Sequence, residues 1–307
     1  TMPPQVTSLY SLNDQLTCMK VEPTDGAANI ATVCLNNAAR RNAFNVAFCN
    51  ELVTIFTVAN TDDAVHALIL TSDYTATAFF CAGADFSGDA DTAQLIPQVS
   101  DDFREPAGRI SIAIANCTKP TITALTGHAV GGGITITLAS TFRVALSSAK
   151  IGFVFNRRGL APEGLCTLLL PRLIGEARAT ELLLLGRVYR ADDGAVAPLF
   201  TSLHDTPADT YRAAVDLALE LTTKAAPVST FLTRRLLQHG RAVTVAPGET
   251  QPRSLVDQVH AAESASVAAT GSSSDFGEGI AAFLGRRPAV WGMRVPADVP
   301  NLWWAKL

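Results

Sequence analysis

The sequence has 307 residues, of which 48% are hydrophobic and 17% are charged. This composition is typical of a well-buried globular protein with one large domain or two ordinary ones, and it excludes a disordered chain. The net charge is −4, and the Lys and Arg residues are scattered rather than clustered. We therefore expect neither a nucleic acid nor an anionic membrane as a partner.

The six cysteines include no Cys-x-x-Cys pair and lie mostly within apolar segments. This pattern favours free buried thiols in a reducing compartment over a disulfide framework or a metal site, so no metal is predicted. No apolar stretch approaches the roughly 20 residues that span a bilayer. The N-terminus lacks the pattern of a secretory signal. The sequence thus predicts a soluble protein that is not secreted and does not span a membrane.

Strand-like and helix-like segments alternate over the first two thirds of the chain. A β-rich run at 30–35 precedes a helix that Asn45 can cap, in which apolar residues recur at helical spacing. The segments predicted next are a strand at 65–70, an irregular stretch at 79–89, a helix through 110–115, a strand at 120–125, an apolar helix after the glycine-rich 126–133, a strand at 142–145 and a helix at 176–185. This alternation predicts an α/β core.

Helical patterns replace strands in the last hundred residues. They cover 209–225, 228–240, 253–270 and 275–285, the last of which opens with a capping-box pattern of Asp275 and Glu278. The residues at 240–252 have the composition of an exposed loop or hinge. We therefore predict an α/β core at 1–205, which holds the site, and a helical C-terminal region at 206–307.

Two loops of small residues each follow a predicted strand. In TGHAVGGG (126–133), three successive glycines precede a helix, which lets backbone N–H groups turn toward a bound oxygen. A tight turn with close helix packing explains these glycines equally well. The loop fits neither G-x-G-x-x-G nor a P-loop, so no nucleotide-phosphate site is predicted. An oxyanion hole needs N–H donors from separate segments, and CAGAD (81–85) can supply the second.

Five segments, in this order, resemble the crotonase, or enoyl-CoA hydratase/isomerase, superfamily: LNNAARRNAFN, FCAGADF, KPTITALTGHAVGGG, RGLAPEGLCTLLLPRLIGEARATELLLLGR and SSDFGEGIAAFLGRRPAVW. The resemblance covers about residues 28–291, and five ordered motifs are far more specific than one. It implies the crotonase fold, a spiral of ββα units with a C-terminal helical oligomerisation region. It also implies an acyl-CoA substrate and no separate cofactor, because the thioester itself acidifies carbon 2.

The resemblance further implies homotrimers, or dimers of trimers, formed through the C-terminal helices. The apolar residues suited to that contact are Ile280, Phe283, Leu284 and Trp291.

The resemblance also implies roles for individual residues. The N–H groups of Ala84 and Gly132 would hold the thioester oxygen and stabilise an enolate. Coenzyme A would lie against residues of the first two segments and of the C-terminal helix, namely Arg40, Arg41, Ala43, Ala82, Asp85, Phe283 and Arg286. Arg40 and Arg41 could meet its phosphates, although two adjacent arginines after a strand are commonly just a solvated turn.

Carboxylate positions distinguish the reactions of this superfamily. Its hydratases carry one glutamate two residues after GGG and another near the end of the following strand, where this chain has Thr135 and Phe155. Hydration needs one group to activate water and another to protonate carbon, so the loss of both argues against a hydratase. Glu163, within Pro-Glu-Gly, resembles the single catalytic acid of the Δ3,Δ2-enoyl-CoA isomerases. Dienoyl-CoA isomerases have an aspartate there and a second carboxylate at the position of Phe155.

Glu163 is therefore the predicted catalytic residue. One carboxylate can take a proton from carbon 2 and return it to carbon 4 on the same face, and apolar neighbours would raise its pKa toward the working pH. Without the other motifs, the same residue would be interpreted as a carboxylate in the first turn of a helix. We predict a Δ3,Δ2-enoyl-CoA isomerase of fatty-acid β-oxidation that converts 3-cis- or 3-trans-enoyl-CoA to the 2-trans ester.

Several alternatives remain. The chain could carry out another crotonase reaction, as a dienoyl-CoA isomerase, a thioester hydrolase or a hydratase, or it could be a non-catalytic acyl-CoA-binding protein. His128 is a weaker acid–base candidate, because a lone histidine in a turn is more often structural. Cys81 is better explained by packing than as a nucleophile, and Asp73 and Asp89 as solvated residues.

The terminal tripeptide Ala305-Lys306-Leu307 resembles the Ser-Lys-Leu signal that the peroxisomal import receptor binds. We therefore expect that receptor as a partner, and a peroxisome or a related organelle such as the glycosome as the location.

Overall fold

The structure, a computed structural model, describes residues 8–85, 104–158, 160–239, 273–299 and 301. Four sequence-based predictions lie outside these residues: the helix at 253–270, the loop at 240–252, the surroundings of Asp89, and the tripeptide Ala305-Lys306-Leu307.

The strands of the described residues form two sheets. Strands β1 (Met19–Thr24), β2 (Ala27–Leu35), β3 (Ala67–Ser72), β5 (Thr121–Leu125), β7 (Phe142–Leu146) and β10 (Ser202–His204) form the larger sheet, in that order. Strands β4 (Phe79–Cys81), β6 (His128–Val130), β8 (Lys150–Gly152) and β9 (Val188–Arg190) form the smaller. Pairing is antiparallel between β1 and β2 and between β8 and β9, and parallel elsewhere.

The helices lie between and beside these strands. They are α1 (Val46–Ala59), α2 (Pro106–Asn116), α3 (Gly132–Thr135), α4 (Cys166–Ile174), α5 (Glu176–Leu185), α6 (Pro207–Lys224), α7 (Pro227–His239) and α8 (Ser274–Gly285). None of the described helices is long and apolar enough to cross a bilayer.

The larger sheet is buried on both faces, as the side chains of β3 illustrate. Successive side chains of a strand point to opposite faces. Leu68 and Leu70 belong to the main core with α1 and α2, whereas Ala67 and Ile69 join the core beneath α6. Burial on both faces explains why this strand is a continuous apolar run rather than an alternating one.

Helix α1 forms as predicted. The Asn45 Oδ1 accepts a hydrogen bond from the Phe48 N–H at 2.9 Å, which satisfies one of the free donors of the first turn. Phe48, Leu52 and Phe56 are buried at spacings of four residues, and they place the start of α1 against the loops described below. Helix α5 has the predicted bounds, and the predicted α/β class is confirmed.

One helix prediction was confirmed in part, and one cap prediction was wrong. The apolar helix predicted after GGG forms as the single turn of α3, followed by further turns, and its residues are buried. The capping box at Asp275 and Glu278 does not form. Ser273 Oγ instead accepts from the Phe276 N–H at 3.2 Å. Asp275 accepts from the backbone of Gly292, because the following segment folds back over α8.

The described residues after 205 contain helices and no strand. Helix α6 packs directly on the larger sheet through Ala214 and Ala218. The division at residue 205 therefore stays a prediction.

Candidate active site

The two glycine-containing loops pack backbone against backbone. A Cβ atom on Gly83 would lie 2.8 Å from the Val130 carbonyl oxygen and 3.6 Å from the Gly132 nitrogen. A Cβ atom on Gly133 would lie 2.9 Å from the Cys81 carbonyl carbon. Only glycine permits so close an approach at these positions, and Gly83 also has a φ of +88°. The two segments predicted to supply N–H donors therefore do come together.

A third segment is fixed onto these loops by Asn42, which is 0% exposed. Its Nδ2 donates to the carbonyls of Phe79 and Phe80, at 3.2 and 3.1 Å, and its Oδ1 accepts from the Asn37 N–H at 2.8 Å. Its φ of +53° is one that asparagine tolerates better than most residues. Sequence reasoning missed Asn42, since an isolated loop asparagine forms no pattern.

The N–H groups of Ala84 and Gly132 are free to meet a ligand oxygen. The parallel bridge between Phe44 and Ala84 uses the Phe44 N–H to the Gly83 carbonyl at 2.9 Å and the Asp85 N–H to the Phe44 carbonyl at 3.0 Å. The N–H of Ala84 takes no part in it. Among the described residues, no acceptor is bonded to the N–H of Ala84 or of Gly132. Such donors are what an oxyanion hole requires.

Glu163 lies over Gly132. It belongs to the loop before α4 and precedes that helix by three residues, so it is not in a helical first turn. Its Oε1 is 3.1 Å from the position that a Cβ atom on Gly132 would take, and the ring carbon Cε1 of Phe44 is 2.5 Å from the same position. The carboxylate, the buried phenyl ring and the Gly132 backbone thus meet at one place.

This environment raises the pKa of Glu163 to about 7. Burial is the larger cause, because an apolar setting disfavours the charged form. The second cause of the raised pKa is the negative charge of Glu105. Near neutral pH the carboxyl group is therefore divided between its two protonation states, which suits a group that must accept a proton and give it back.

Two buried thiols lie close enough to Glu163 to be affected by its charge. Burial, chiefly, raises the pKa of both Cys49 and Cys166 to about 12. Both therefore stay neutral thiols at physiological pH.

Glu105 is a second carboxylate at the site, and sequence reasoning missed it. It caps α2, where its Oε2 accepts from the Gly108 N–H. Its Oε1 accepts from the Gly164 N–H at 3.1 Å and so reaches the residue next to Glu163. The available signal was an acid directly before a proline and a helix, which indicates a cap and nothing about the site.

The two positions that hold glutamates in the hydratases of the resembled superfamily are filled by packing side chains. Thr135 is 0% exposed, and its Oγ1 donates to the Gly132 carbonyl at 3.2 Å. Its Cβ is 2.8 Å from the place of a Cβ atom on Gly164. Phe155 is a member of the main core. Thr135, whose purpose the sequence did not reveal, therefore supports the loop of Glu163.

Most of the predicted coenzyme A residues lie together. Arg40 Nη1 is 3.4 Å from Asp85 Oδ2, and the Arg41 guanidinium lies 5.3 Å from the Phe79 ring centroid. The Ala82 N–H donates to the Arg41 carbonyl at 3.1 Å, and Ala43, two residues after Arg41, is buried. A cationic edge beside the glycine loops results.

The two C-terminal residues predicted to bind coenzyme A, Phe283 and Arg286, are not seen in contact with this edge. Arg286 is exposed just after α8, and no described contact connects it to the loops. Phe283 lies within α8, but its side chain is outside the part that the structure describes.

The weaker candidates have structural roles. His128 lies in β6 rather than in a turn, and its Nδ1 accepts from the Lys150 N–H at 3.0 Å. The Cys81 thiol donates to the Asn42 carbonyl at 3.0 Å, and burial raises its pKa to about 12, which makes it a poor nucleophile. Asp73 accepts from Thr75 in a local turn.

A cleft of about 830 Å³ lies elsewhere, at the opposite ends of the central strands. It is lined by Lys119 and by the segment 288–295 and shares no residue with the Glu163 cluster. The Lys119 ammonium is already used there, because it donates to the Val295 carbonyl at 2.8 Å.

Comparisons with known proteins show which family the chain resembles. The model of the enoyl-CoA hydratase/isomerase family matches residues 25–294. The chain is 34% identical to "Enoyl-CoA hydratase AFT3-1" of Alternaria alternata over 269 residues, which is 88% of this chain and 84% of that one. It is 30% identical to the mitochondrial methylglutaconyl-CoA hydratase of Mus musculus, over 84% of this chain and 78% of that one.

The chain is also similar to a solved structure of an enoyl-CoA hydratase/isomerase. A probable enoyl-CoA hydratase/isomerase from Mycobacterium abscessus superimposes with a TM-score of 0.76 at 30% identity, over 89% of this chain and 98% of that one. The predicted fold class is confirmed by this match and by the mixed α/β architecture, in which parallel strand pairs predominate.

Proposed function

Since the chain belongs to the enoyl-CoA hydratase/isomerase family of the crotonase superfamily, we propose that it is a Δ3,Δ2-enoyl-CoA isomerase acting in fatty-acid β-oxidation. The observation that carries the proposal is the position of the Glu163 carboxyl group over Gly132, in surroundings that raise its pKa to about 7. A thioester oxygen bound at the Ala84 and Gly132 N–H groups would bring carbon 2 of the acyl chain toward this carboxylate.

The proposed reaction needs one carboxylate. Glu163 takes a proton from carbon 2, and the electron pair of that C–H bond moves into the thioester to give a dienolate, whose oxygen the two N–H groups stabilise. Protonated Glu163 then returns the proton to carbon 4, and the double bond moves from carbons 3 and 4 to carbons 2 and 3. No atom is gained or lost, and no metal or redox partner is required.

A hydratase is the second candidate, and two observations favour it. Glu105 brings a second carboxylate close to Glu163, and the similar proteins from Alternaria and mouse are named hydratases. Water addition could use one carboxylate as base and the other as acid. Against this, both oxygens of Glu105 already accept backbone N–H groups, and the two hydratase positions hold Thr135 and Phe155.

The test is to offer the protein 3-cis-, 3-trans- and 2-trans-enoyl-CoA separately and to identify the products by chromatography. We expect conversion of the 3-enoyl esters to the 2-trans ester, and little 3-hydroxyacyl-CoA from the 2-trans ester. Glu163→Gln should reduce isomerisation by about 10³-fold, within the range of a lost general base.

The matched control is Glu176→Gln, which removes an exposed acid from the first turn of α5 and should leave turnover unchanged. If the protein rapidly hydrates the 2-trans ester and Glu163→Gln loses this activity, the hydratase replaces the isomerase as the proposed function. Near-normal isomerisation by folded Glu163→Gln would remove Glu163 from the mechanism.

Trimers, or dimers of trimers, complete the proposal. In its support, the adjacent Leu184 and Leu185 at the end of α5 are 64% and 42% exposed, and Ile280 of α8 is 48% exposed. Contiguous exposed apolar side chains mark sites of protein association.

A further inference from the structure

The loop that carries Glu163 has an unusual backbone. Gly164 has a φ of +72° and Leu165 a φ of +58°, so two successive residues adopt left-handed conformations directly after the carboxylate. Such a conformation is disfavoured for a leucine and persists only where surrounding contacts hold it.

Those contacts come mainly from α2. The Gly164 N–H donates to Glu105 Oε1 at 3.1 Å, and the Gly164 carbonyl accepts from Ser111 Oγ at 3.0 Å. Both polar groups of the Gly164 backbone are thus bonded to side chains of one helix. Thr135 closes the third side through van der Waals contact.

We propose that Glu105 is a positioning residue for Glu163: it holds the Gly164 backbone and so fixes the loop that aims the catalytic carboxylate. The negative charge of Glu105 acts on Glu163 as well, and it favours the protonated form of that carboxyl group. The inference rests on the proposed function in one respect, namely that Glu163 is the reacting group.

The charges around Glu163 support this assignment. The titratable groups that face it are Glu105 from α2, Cys49 from α1 and Cys166 from α4. Within the described ranges, no Lys, Arg or His forms an ion pair with Glu163 or with Glu105. Both Glu105 oxygens accept backbone N–H groups, and the charge of Glu105 disfavours the ionised form of Glu163.

The simpler explanation is that Glu105 only caps α2. A cap would affect stability and leave the protonation of Glu163 and the rate unchanged. The two explanations therefore differ in what kinetics and titration measure.

Two variants separate them. Glu105→Gln removes the charge but keeps an oxygen that can accept from the Gly164 N–H, whereas Glu105→Ala removes both. We expect Glu105→Gln to keep its plateau kcat within about threefold of the wild type and Glu105→Ala to lose about 10-fold or more with little change in KM, because small misplacements of a reacting group reduce rate more than binding.

The pH profile gives the second readout. The rate rises with pH as Glu163 loses its proton. Removing the charge of Glu105 lowers the pKa of Glu163, so the acid limb of kcat/KM should move to lower pH. If the midpoint of the acid limb moves down by about half a pH unit, kcat/KM at a pH well below the midpoint rises about threefold relative to its plateau value.

The control is Thr206→Ala, which removes the side-chain cap of α6 far from the site. It should lower the melting temperature without moving the pH profile. Should both Glu105 variants behave like this control, Glu105 is only a cap and the proposal is wrong. If Glu105→Ala does not fold, Glu105→Gln alone still decides the question.

A direct titration keeps this inference separate from the proposed function. The side-chain carboxyl of Glu163 can be followed by ¹³C NMR in ligand-free protein labelled at glutamate, with Glu163→Gln to assign the signal. A midpoint that falls in Glu105→Gln supports the positioning role even if no 3-enoyl-CoA is converted, in which case the proposed function alone has failed. If the midpoint does not move and Glu105→Ala keeps the wild-type rate, in an active isomerase, the positioning role alone is overturned.

Discussion

Glu163, the proposed catalytic residue, lowers the stability of the folded protein at neutral pH because its pKa is raised. Its pKa is about 7 in the folded protein against an ordinary value of 4.5. Between these values the folded state binds more protons than the unfolded state, so stability falls as pH rises through this interval and is level above about pH 7. A buried carboxylate that must ionise for chemistry is one form of the trade between stability and activity.

Glu163→Gln should therefore be more stable than the wild type at pH 8. We expect a gain on the order of 2–3 kcal/mol in the free energy of unfolding, which follows from the raised pKa. The gain should shrink as the pH falls and should vanish near pH 4.5. Urea unfolding at pH 8, 6.5 and 5 measures it, and a gain independent of pH would mean that the carboxyl is not the titrating group.

Only some residues of the candidate site could be predicted from the sequence. Glu163, Ala84 and Gly132 stand in ordered motifs, and the structure brings them together. Glu105 and Asn42 could not be found, because each acts through hydrogen bonds to residues more than 35 positions away. The local sequence around Glu105 indicates only a helix cap, and only the folded chain shows that Glu105 and Asn42 contact the site.

At the scale of elements, the loop before α4 depends on one glycine. A Cβ atom on Gly164 would meet Thr135 Cβ at 2.8 Å, whereas one on Gly175, at the end of α4, would meet nothing within 4 Å. Both residues have a positive φ, +72° and +85°. The pair thus separates steric collision from backbone strain.

Gly175→Ala should lose about 1–3 kcal/mol, because its φ of 85° and ψ of 153° lie in a region that is essentially limited to glycine. Gly164→Ala should lose about 2 kcal/mol more, because overpacking is added to the strain of its positive φ. It should also lower the rate by displacing Glu163. Chemical denaturation and steady-state kinetics on the two variants check this expectation, which fails if they are equally stable and equally active.

Long amphipathic or strongly apolar elements could be predicted, and short ones could not. Helices α1 and α5 are periodic over at least ten residues. Strands β4, β6, β8 and β9 have three residues each. Three residues are too few to show a period of two, so the smaller sheet, which carries both glycine loops, had no signal of its own.

At the scale of the whole molecule, polar contacts connect the C-terminal segment to the core. Besides Lys119, which bonds the Val295 carbonyl, Arg234 of α7 donates to the carbonyls of Cys117 and Thr118 at 3.2 and 3.3 Å. These contacts lie at the opposite ends of the strands from Glu163, so they hold the molecule together without entering the site.

Lys119→Met should leave the Val295 carbonyl without its donor, at a loss of about 1–3 kcal/mol. Hydrogen exchange of peptides covering 288–299 should become faster, while turnover stays unchanged. Lys150→Met, at an exposed position, is the control. Unchanged exchange in this segment would show that Lys119 does not hold it.

The fold class followed from the alternation of strands and helices and from the order of the motifs. The partition of the strands into two sheets did not, because strand order depends on crossover connections that leave no local trace in the sequence.

The contact between Thr135 and Gly164 also limits how such a chain can diverge. A glutamate at position 135 would need space that the Gly164 backbone occupies, so a gene carrying that single substitution would encode a disrupted loop rather than a new activity. A carboxylate can enter position 135 only together with a change that moves the Gly164 backbone, so the two positions are coupled in evolution.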